Sequence, residues 1–144
     1  MTVAVVWGQG RWRAVDGVVE LDGLLAGLAV SPVGPQVVGL YPPAFLEPGF
    51  RPCGAAPPPP SLQLGLGHPV RGFLYWTGPA GGLGFEPEVP PWPTGVHEIE
   101  FDYGGDPIAC GPELASVGPD AVRDAALEYA VTGARPRRVL WRDC

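Results

Sequence analysis

The apolar residues of this chain occur in short runs that glycine and proline separate. The run Val3–Trp7 is continuous and rich in valine, which is typical of a buried strand. Residues 36–41 predict a further strand, and residues 61–67 and 69–78 predict two strands with a turn between them. A turn and another short strand are expected over residues 79–85.

Residues 97–103 show the clearest strand pattern, because ring or aliphatic side chains alternate strictly with carboxylates. Side chains two residues apart share one face of a strand, so Glu98, Glu100 and Asp102 are expected together on the face opposite the apolar one. Like charges at this spacing repel one another, and they require solvent or a positively charged partner.

Two segments have the spacing of helices. Residues 21–30 repeat leucine at intervals of three and four, with Asp22 as a candidate cap. A second helix is expected after Pro119. Its small and aromatic residues form one stripe, which consists of Val122, Ala125, Ala126, Tyr129 and Ala130. Gly133 is expected to end this helix in the left-handed conformation, and a short strand containing Trp141 follows.

The order of the elements predicts the fold class. Asp16–Gly17 predicts a hairpin turn near the N-terminus, and strands, a short helix, more strands, a helix and a last strand follow one another. We therefore expect an α+β fold, in which an antiparallel or mixed β-sheet packs against a C-terminal helix and a shorter N-terminal helix. A length of 144 residues suits a single loop-rich domain over 1–144.

A proline-rich loop is expected at about residues 42–60. It ends in the run Pro57–Pro60, which favours an extended polyproline II conformation. We interpret the run as a spacer, and recognition by an aromatic-lined partner domain is the alternative.

The composition supports a folded chain with an acidic surface. The chain contains 22 Gly and 20 Pro, but 46% of its residues are hydrophobic, whereas disordered chains combine low hydrophobicity with high charge. The net charge is −6, and all nine basic residues are arginine. A negative surface repels the phosphate backbone, so we expect a basic protein as the partner and no direct nucleic-acid binding.

Several features predict a cytoplasmic protein that does not enter a membrane. The three cysteines are far apart and form no C-x-x-C motif, which argues against a disulfide framework or a zinc site. No basic region precedes the N-terminal apolar run, as it would in a signal peptide. Prolines divide the charge-free residues 23–46 into pieces that are too short to cross a membrane.

The chain lacks the motifs of common catalytic sites, including G-x-S-x-G, H-E-x-x-H and the glycine loops that bind phosphate. We therefore expect no cofactor and no metal ion. A small carboxylate-based hydrolase is the alternative, with Glu98 and Glu100 as general acid and base and Glu86 and Glu88 in support. This alternative requires at least one carboxylate with a raised pKa in a cleft.

The same carboxylates also predict a surface that binds a basic protein. Acidic groups on a rigid strand attract such a partner, and an aromatic side chain anchors it. Trp92, in the loop of residues 86–95, is the candidate anchor, with inward packing as an equal alternative. Asp124 and Glu128 add an acidic stripe to the last helix. The residues predicted to bind the partner are Glu86, Glu88, Trp92, Glu98, Glu100, Asp102, Asp124 and Glu128.

The segment VRDAALEYAVTGARPRRVLWRD resembles the C-terminal signature of the first-numbered family of bacterial immunity proteins, found in polymorphic toxin systems. The matching positions are Val122, Arg123, Ala126, Glu128, Tyr129, Thr132, Gly133, Arg135, Pro136 and Trp141. Upstream, a glycine-rich aromatic region and an acidic strand follow the same order. The entry to the helix differs, because CGPELASVGPDA stands where the family has a phenylalanine–proline and acidic stretch.

The resemblance implies a small cytoplasmic α+β protein that is encoded beside a toxin, binds the toxin and blocks its active site. Toxins associated with this family are often nucleic-acid deaminases. The resemblance also implies a structural role for the residues around the last helix, namely Val122, Ala126, Tyr129, Gly133 and Trp141.

Overall fold

The computed structural model describes residues 1–46 and 60–143. Within these ranges the chain forms nine strands, two α-helices and one short 3-10 helix over Pro43–Leu46. The strands and α-helices are, in chain order, β1 (Thr2–Trp7), β2 (Arg11–Asp16), α1 (Val18–Ala29), β3 (Gln36–Tyr41), β4 (Leu62–Leu66), β5 (Leu74–Trp76), β6 (Leu83–Phe85), β7 (Ile99–Tyr103), β8 (Asp106–Cys110), α2 (Pro119–Thr132) and β9 (Leu140–Arg142).

The strands form one sheet that is antiparallel except at one point, so the predicted α+β class is confirmed. Seven strands follow the order β2-β1-β3-β4-β5-β6-β9. The other two, β7 and β8, form an antiparallel hairpin. This hairpin joins the sheet through a single parallel pairing, between Gln36 on β3 and Asp102 on β7. The hairpin is therefore hydrogen-bonded to the rest of the sheet at β3 alone among the described strands, and its remaining length can pack over the face of the sheet.

The two helices cover one face of the sheet and enclose the larger core. Alternate residues of the central strands point into it, including Val38 and Leu40 of β3 and Leu62 and Leu64 of β4. The predicted stripe of α2 faces these strands. Its buried residues are Val122, Ala125, Ala126, Tyr129 and Ala130. Tyr129 is fully buried, and its hydroxyl donates a hydrogen bond to the carbonyl oxygen of Pro60 at 2.8 Å.

The β7–β8 hairpin packs on the opposite face of the sheet and encloses a second core. Val37 of β3 belongs to this core, whereas its neighbour Val38 belongs to the larger one. Phe73 and Phe101 meet edge to face, with ring centroids 5.2 Å apart. The remaining buried members are Ile99, Cys110 and Ala115.

Two interactions fix the ends of α2. Gly133 ends the helix at φ 66°, and its N–H donates to the carbonyl oxygen of Tyr129 at 2.8 Å. Arg123, in the first half of the helix, holds Asp22 of α1 with two hydrogen bonds of 2.7 and 2.9 Å. The Arg123 guanidinium lowers the pKa of the Asp22 carboxyl through these bonds. The two helices are thus joined on their exposed side.

Trp141 lies at the end of the sheet and is half-buried against the larger core. Its indole N–H donates to the carbonyl oxygen of Pro136 at 2.7 Å. The guanidinium carbon of Arg135 lies 5.3 Å from the centre of the indole ring. The segment after Gly133 is therefore held to β9 by a hydrogen bond and a cation–π contact.

Several expectations differ from the structure or lie outside it. Asp22 is not a helix cap, because α1 begins at Val18 and Asp22 lies within it. Asp16–Gly17 is not a hairpin turn, because the turn between β1 and β2 is formed by residues 8–10, with Gly8 and Gly10 at positive φ. Asp16 instead leads into α1, and its N–H donates to the Glu20 carboxylate at 2.9 Å. The strand β8 was not predicted. Most of the proline-rich loop, residues 47–59, lies outside the described residues.

Gly72 is a position where the fold tolerates no side chain. A Cβ atom there would lie 2.5 Å from the carbonyl oxygen of Gly65 and 2.7 Å from Cγ2 of Val122. Gly72→Ala is therefore expected to lower the free energy of unfolding by about 2 kcal/mol, measured by urea denaturation, because backbone must move. Gly23→Ala, in α1, is the control. Its Cβ would meet nothing within 4 Å, so we expect stabilisation of up to about 1 kcal/mol. A destabilised Gly23→Ala, or an unaffected Gly72→Ala, would contradict this packing.

Candidate partner-binding site

The β7–β8 hairpin carries a concentrated negative charge. Residues 97–110 contain four carboxylates, those of Glu98, Glu100, Asp102 and Asp106, and no lysine or arginine. Ile99 and Phe101 point into the second core, so Glu100 and Asp102 point away from it. Glu98 precedes the strand, which begins at Ile99 rather than at residue 97, and it is exposed.

These carboxylates have no internal counter-charge. None of the four forms an ion pair with a basic group in the part of the chain that the structure describes. Asp102 accepts one hydrogen bond of 3.4 Å from the N–H of Gly105 in the hairpin turn. Burial raises the pKa of the Cys110 thiol, and the negative charge of Glu98 raises it further. The hairpin therefore presents charges that only solvent or a partner balances.

The acidic stripe of α2 is different, because arginines of the same chain balance it. Asp124 lies 3.6 Å from Nη1 of Arg123 and 4.0 Å from Nη1 of Arg138. Glu128 lies 3.7 Å from Nε of Arg138 and accepts the backbone N–H of Arg137 at 2.6 Å. The helix also covers the sheet face opposite the hairpin. The structure therefore does not bring Asp124 and Glu128 together with the acidic strand.

The other predicted residues lie in the loop between β6 and β7. Glu86 accepts the backbone N–H of Gly118, the residue before α2, at 2.8 Å. A carboxylate at this position also interacts favourably with the positive, N-terminal end of the helix dipole. Glu88 is exposed. Trp92 is half-buried against the second core, and its indole N–H donates to the carbonyl oxygen of Val96 at 2.6 Å. Of the two interpretations of Trp92, inward packing describes its position.

Arg71 is a supporting residue that the sequence did not reveal. It is 6% exposed, and its guanidinium donates to the carbonyl oxygens of Ala115 at 2.9 Å and Pro90 at 2.7 Å. The guanidinium also lies 5.2 Å from the centre of the Trp92 ring. Arg71 thus connects the chain before β7 with the chain after β8. The only signal in the sequence is one charged residue beside the apolar run that follows it.

The surroundings of the carboxylates suit binding more than acid–base chemistry. A cavity of about 370 Å³ lies on the helix face, where Leu25, His68 and Val122 line it, and none of the hairpin carboxylates does. Of the four, Asp102 alone lines another depression, which is open, has a volume of about 590 Å³ and is also lined by Arg11. Among the described residues, no group of three or more acidic, histidine or cysteine side chains is placed to hold a metal ion. Glu98 and Glu100 are exposed, whereas general acid–base catalysis by a carboxylate favours a desolvated cleft.

Comparison with known proteins identifies a family. The model of the family described as immunity protein Imm1 matches residues 9–143. The match includes both helices and β2 to β9, so it extends well beyond the C-terminal segment that carries the resemblance. No curated protein matches the chain.

Within residues 1–46 and 60–143, no helix combines the length and the apolar character that crossing a membrane requires.

Arg71→Lys tests how the hairpin is supported. A lysine cannot donate to both carbonyl oxygens in the fork geometry of a guanidinium, so one buried carbonyl loses its partner. We expect the free energy of unfolding to fall by about 2 kcal/mol in chemical denaturation. Hydrogen exchange of β7 and β8 amides should accelerate. Arg11→Lys, on the exposed strand β2, is the control and should stay within about 0.5 kcal/mol of the wild type. Equal effects of the two variants would rule out this role.

Proposed function

Because the chain belongs to the Imm1 family of immunity proteins, we propose that it binds a toxin domain encoded beside it and blocks the toxin's active site. The proposed inhibitor performs no chemistry of its own and acts in the cytoplasm of the cell that makes the toxin. Its inhibitory surface is the acidic face of the β7–β8 hairpin, with Glu98, Glu100 and Asp102 at the centre.

The observation that supports this surface is the absence of internal counter-charge at the four hairpin carboxylates among the described residues. Like charges on one strand face repel one another and lower stability, and a partner of opposite charge offsets this repulsion when it binds. The backbone that carries them is fixed by β-pairing and by the second core, so little ordering is lost when a partner binds.

The sign of the surface indicates the kind of toxin. Enzymes that act on polynucleotides hold the phosphate backbone in a positively charged channel. A narrow ribbon with carboxylates along one face fits such a channel and excludes the nucleic acid from it. Because the family resemblance implies that the toxins are often nucleic-acid deaminases, a deaminase is the toxin class that we propose.

The other acidic residues contribute less to this surface. Arg123 and Arg138 balance Asp124 and Glu128, and Glu86 is engaged at the entry to α2. A partner would gain little from charges that are already paired. The proposed surface is therefore narrower than the set of acidic residues that the sequence suggests, with Glu88 at its edge.

Reversing the charges of the hairpin tests the proposal. In the triple variant Glu98→Lys, Glu100→Lys and Asp102→Lys, association with the toxin is expected to slow by about tenfold at low salt, because electrostatic attraction speeds the encounter. Stopped-flow or surface plasmon resonance kinetics with the purified, catalytically inactive toxin domain would measure this rate. Circular dichroism would verify that the variant is folded.

The matched control reverses three exposed acidic residues outside the hairpin, Asp16, Asp120 and Asp143, which changes the net charge equally. This variant should associate at a rate much closer to that of the wild type. If both triple variants slowed equally, only the total charge would matter. An unchanged association rate in the hairpin variant would remove the acidic strand from the interface.

A further inference from the structure

Two aromatic side chains remain exposed in the part of the chain that the structure describes. Trp12 of β2 is 56% exposed, and Tyr103 at the end of β7 is 49% exposed. Neither the Trp12 indole N–H nor the Tyr103 hydroxyl has a hydrogen-bond partner among the described residues. Large aromatic side chains that contribute so little to the core are typical of binding surfaces.

Tyr103 lines a depression on the sheet face that the hairpin shares, and Trp12 lies beside Val6, another of its lining residues. Trp12 is paired with Val6 across β2 and β1, so the two side chains lie on the same face. Val6 and Tyr103 both line a depression of about 140 Å³. Its other lining residues include Trp7, Gly8, Gly39, Gln63 and Gly104. Three of these are glycines, which leave the space open, and none of the lining residues is charged.

The depression adjoins the negative hairpin. Tyr103 follows Asp102 directly and is paired across the hairpin with Asp106, which is exposed. A partner that approaches Tyr103 therefore meets an aromatic ring beside the negative charges of Asp102 and Asp106. Aromatic faces attract cations, and the aliphatic stems of arginine and lysine pack well against rings.

We propose that Trp12 and Tyr103 are the aromatic anchors of the toxin interface, and that the depression lined by Tyr103 receives an arginine or lysine side chain of the toxin. This inference rests on the proposed function and assigns its apolar contact. The anchor role that the sequence suggested for Trp92 passes to these two residues, because Trp92 packs inward.

The anchors and the carboxylates affect different rate constants. Exposed charges act at long range and govern the rate of association. Aromatic anchors act only after contact, so their loss accelerates dissociation. This difference allows the anchors to be tested separately from the acidic surface.

The experiment measures dissociation of the purified, catalytically inactive toxin domain encoded by the adjacent gene. Trp12→Ala and Tyr103→Ala are each expected to accelerate dissociation by about 30-fold, with little change in the association rate. Val19→Ala and Val131→Ala are matched controls, since these side chains are 89% and 65% exposed on the helices, which cover the other face of the sheet. Both controls should dissociate at the wild-type rate.

Each outcome supports or overturns the inference. If the wild type binds the toxin and both anchor variants dissociate at the wild-type rate, the anchors are wrong and the immunity function stands. If the wild type does not bind the toxin, both proposals fail. Hydroxyl-radical footprinting of the wild-type complex gives a second readout that does not depend on variants folding. Protection of Trp12 and Tyr103 would support the inference, and full reactivity of both in the complex would overturn it.

Discussion

The contact on which the rest of the site depends is the packing of Phe101 against Phe73 beneath the hairpin. It is possible only because residue 65 is glycine, since a Cβ atom there would lie 2.3 Å from the Phe73 ring. Once Phe101 points toward the sheet, the alternation of a strand directs Glu100 and Asp102 outward. The same apolar contact therefore holds the hairpin on the sheet and determines the direction of its charges.

The two faces of the sheet differ in how their acidic residues are balanced. On the helix face, Asp124 and Glu128 of α2 pair with Arg138, which follows the left-handed turn at Gly133, and Asp22 is held by Arg123. On the hairpin face, the guanidinium of Arg71 donates to the carbonyl oxygens of Ala115 and Pro90 and lies over the Trp92 ring, and it forms no ion pair with a described carboxylate. Arg71 therefore fixes the segments on either side of the hairpin without neutralising the hairpin carboxylates.

The sequence predicted the elements that local periodicity determines. The alternation in residues 97–103 and the stripe from Val122 to Ala130 appear in the structure as β7 and α2. The predictions failed where a contact joins distant parts of the chain. Arg71 and Ala115 are 44 residues apart, and no local pattern connects them. Asp16–Gly17 was misleading because the same residue pair fits a hairpin turn and the entry to a helix, and only pairing with β1 decides between them.

The candidate site was predictable in its charge but not in its shape. Composition and alternation located the carboxylates, because charge and strand faces follow directly from the order of residues. The depression beside them depends on Val6, Gly39 and Tyr103, which belong to three different strands. Tyr103 illustrates the difference, since alternation assigned it to the buried face with Phe101. It lies at the end of the strand, where the sheet beneath the hairpin gives way to the open depression. A residue with the pattern of a core position therefore becomes an exposed one, and this change creates an aromatic surface beside the charged one.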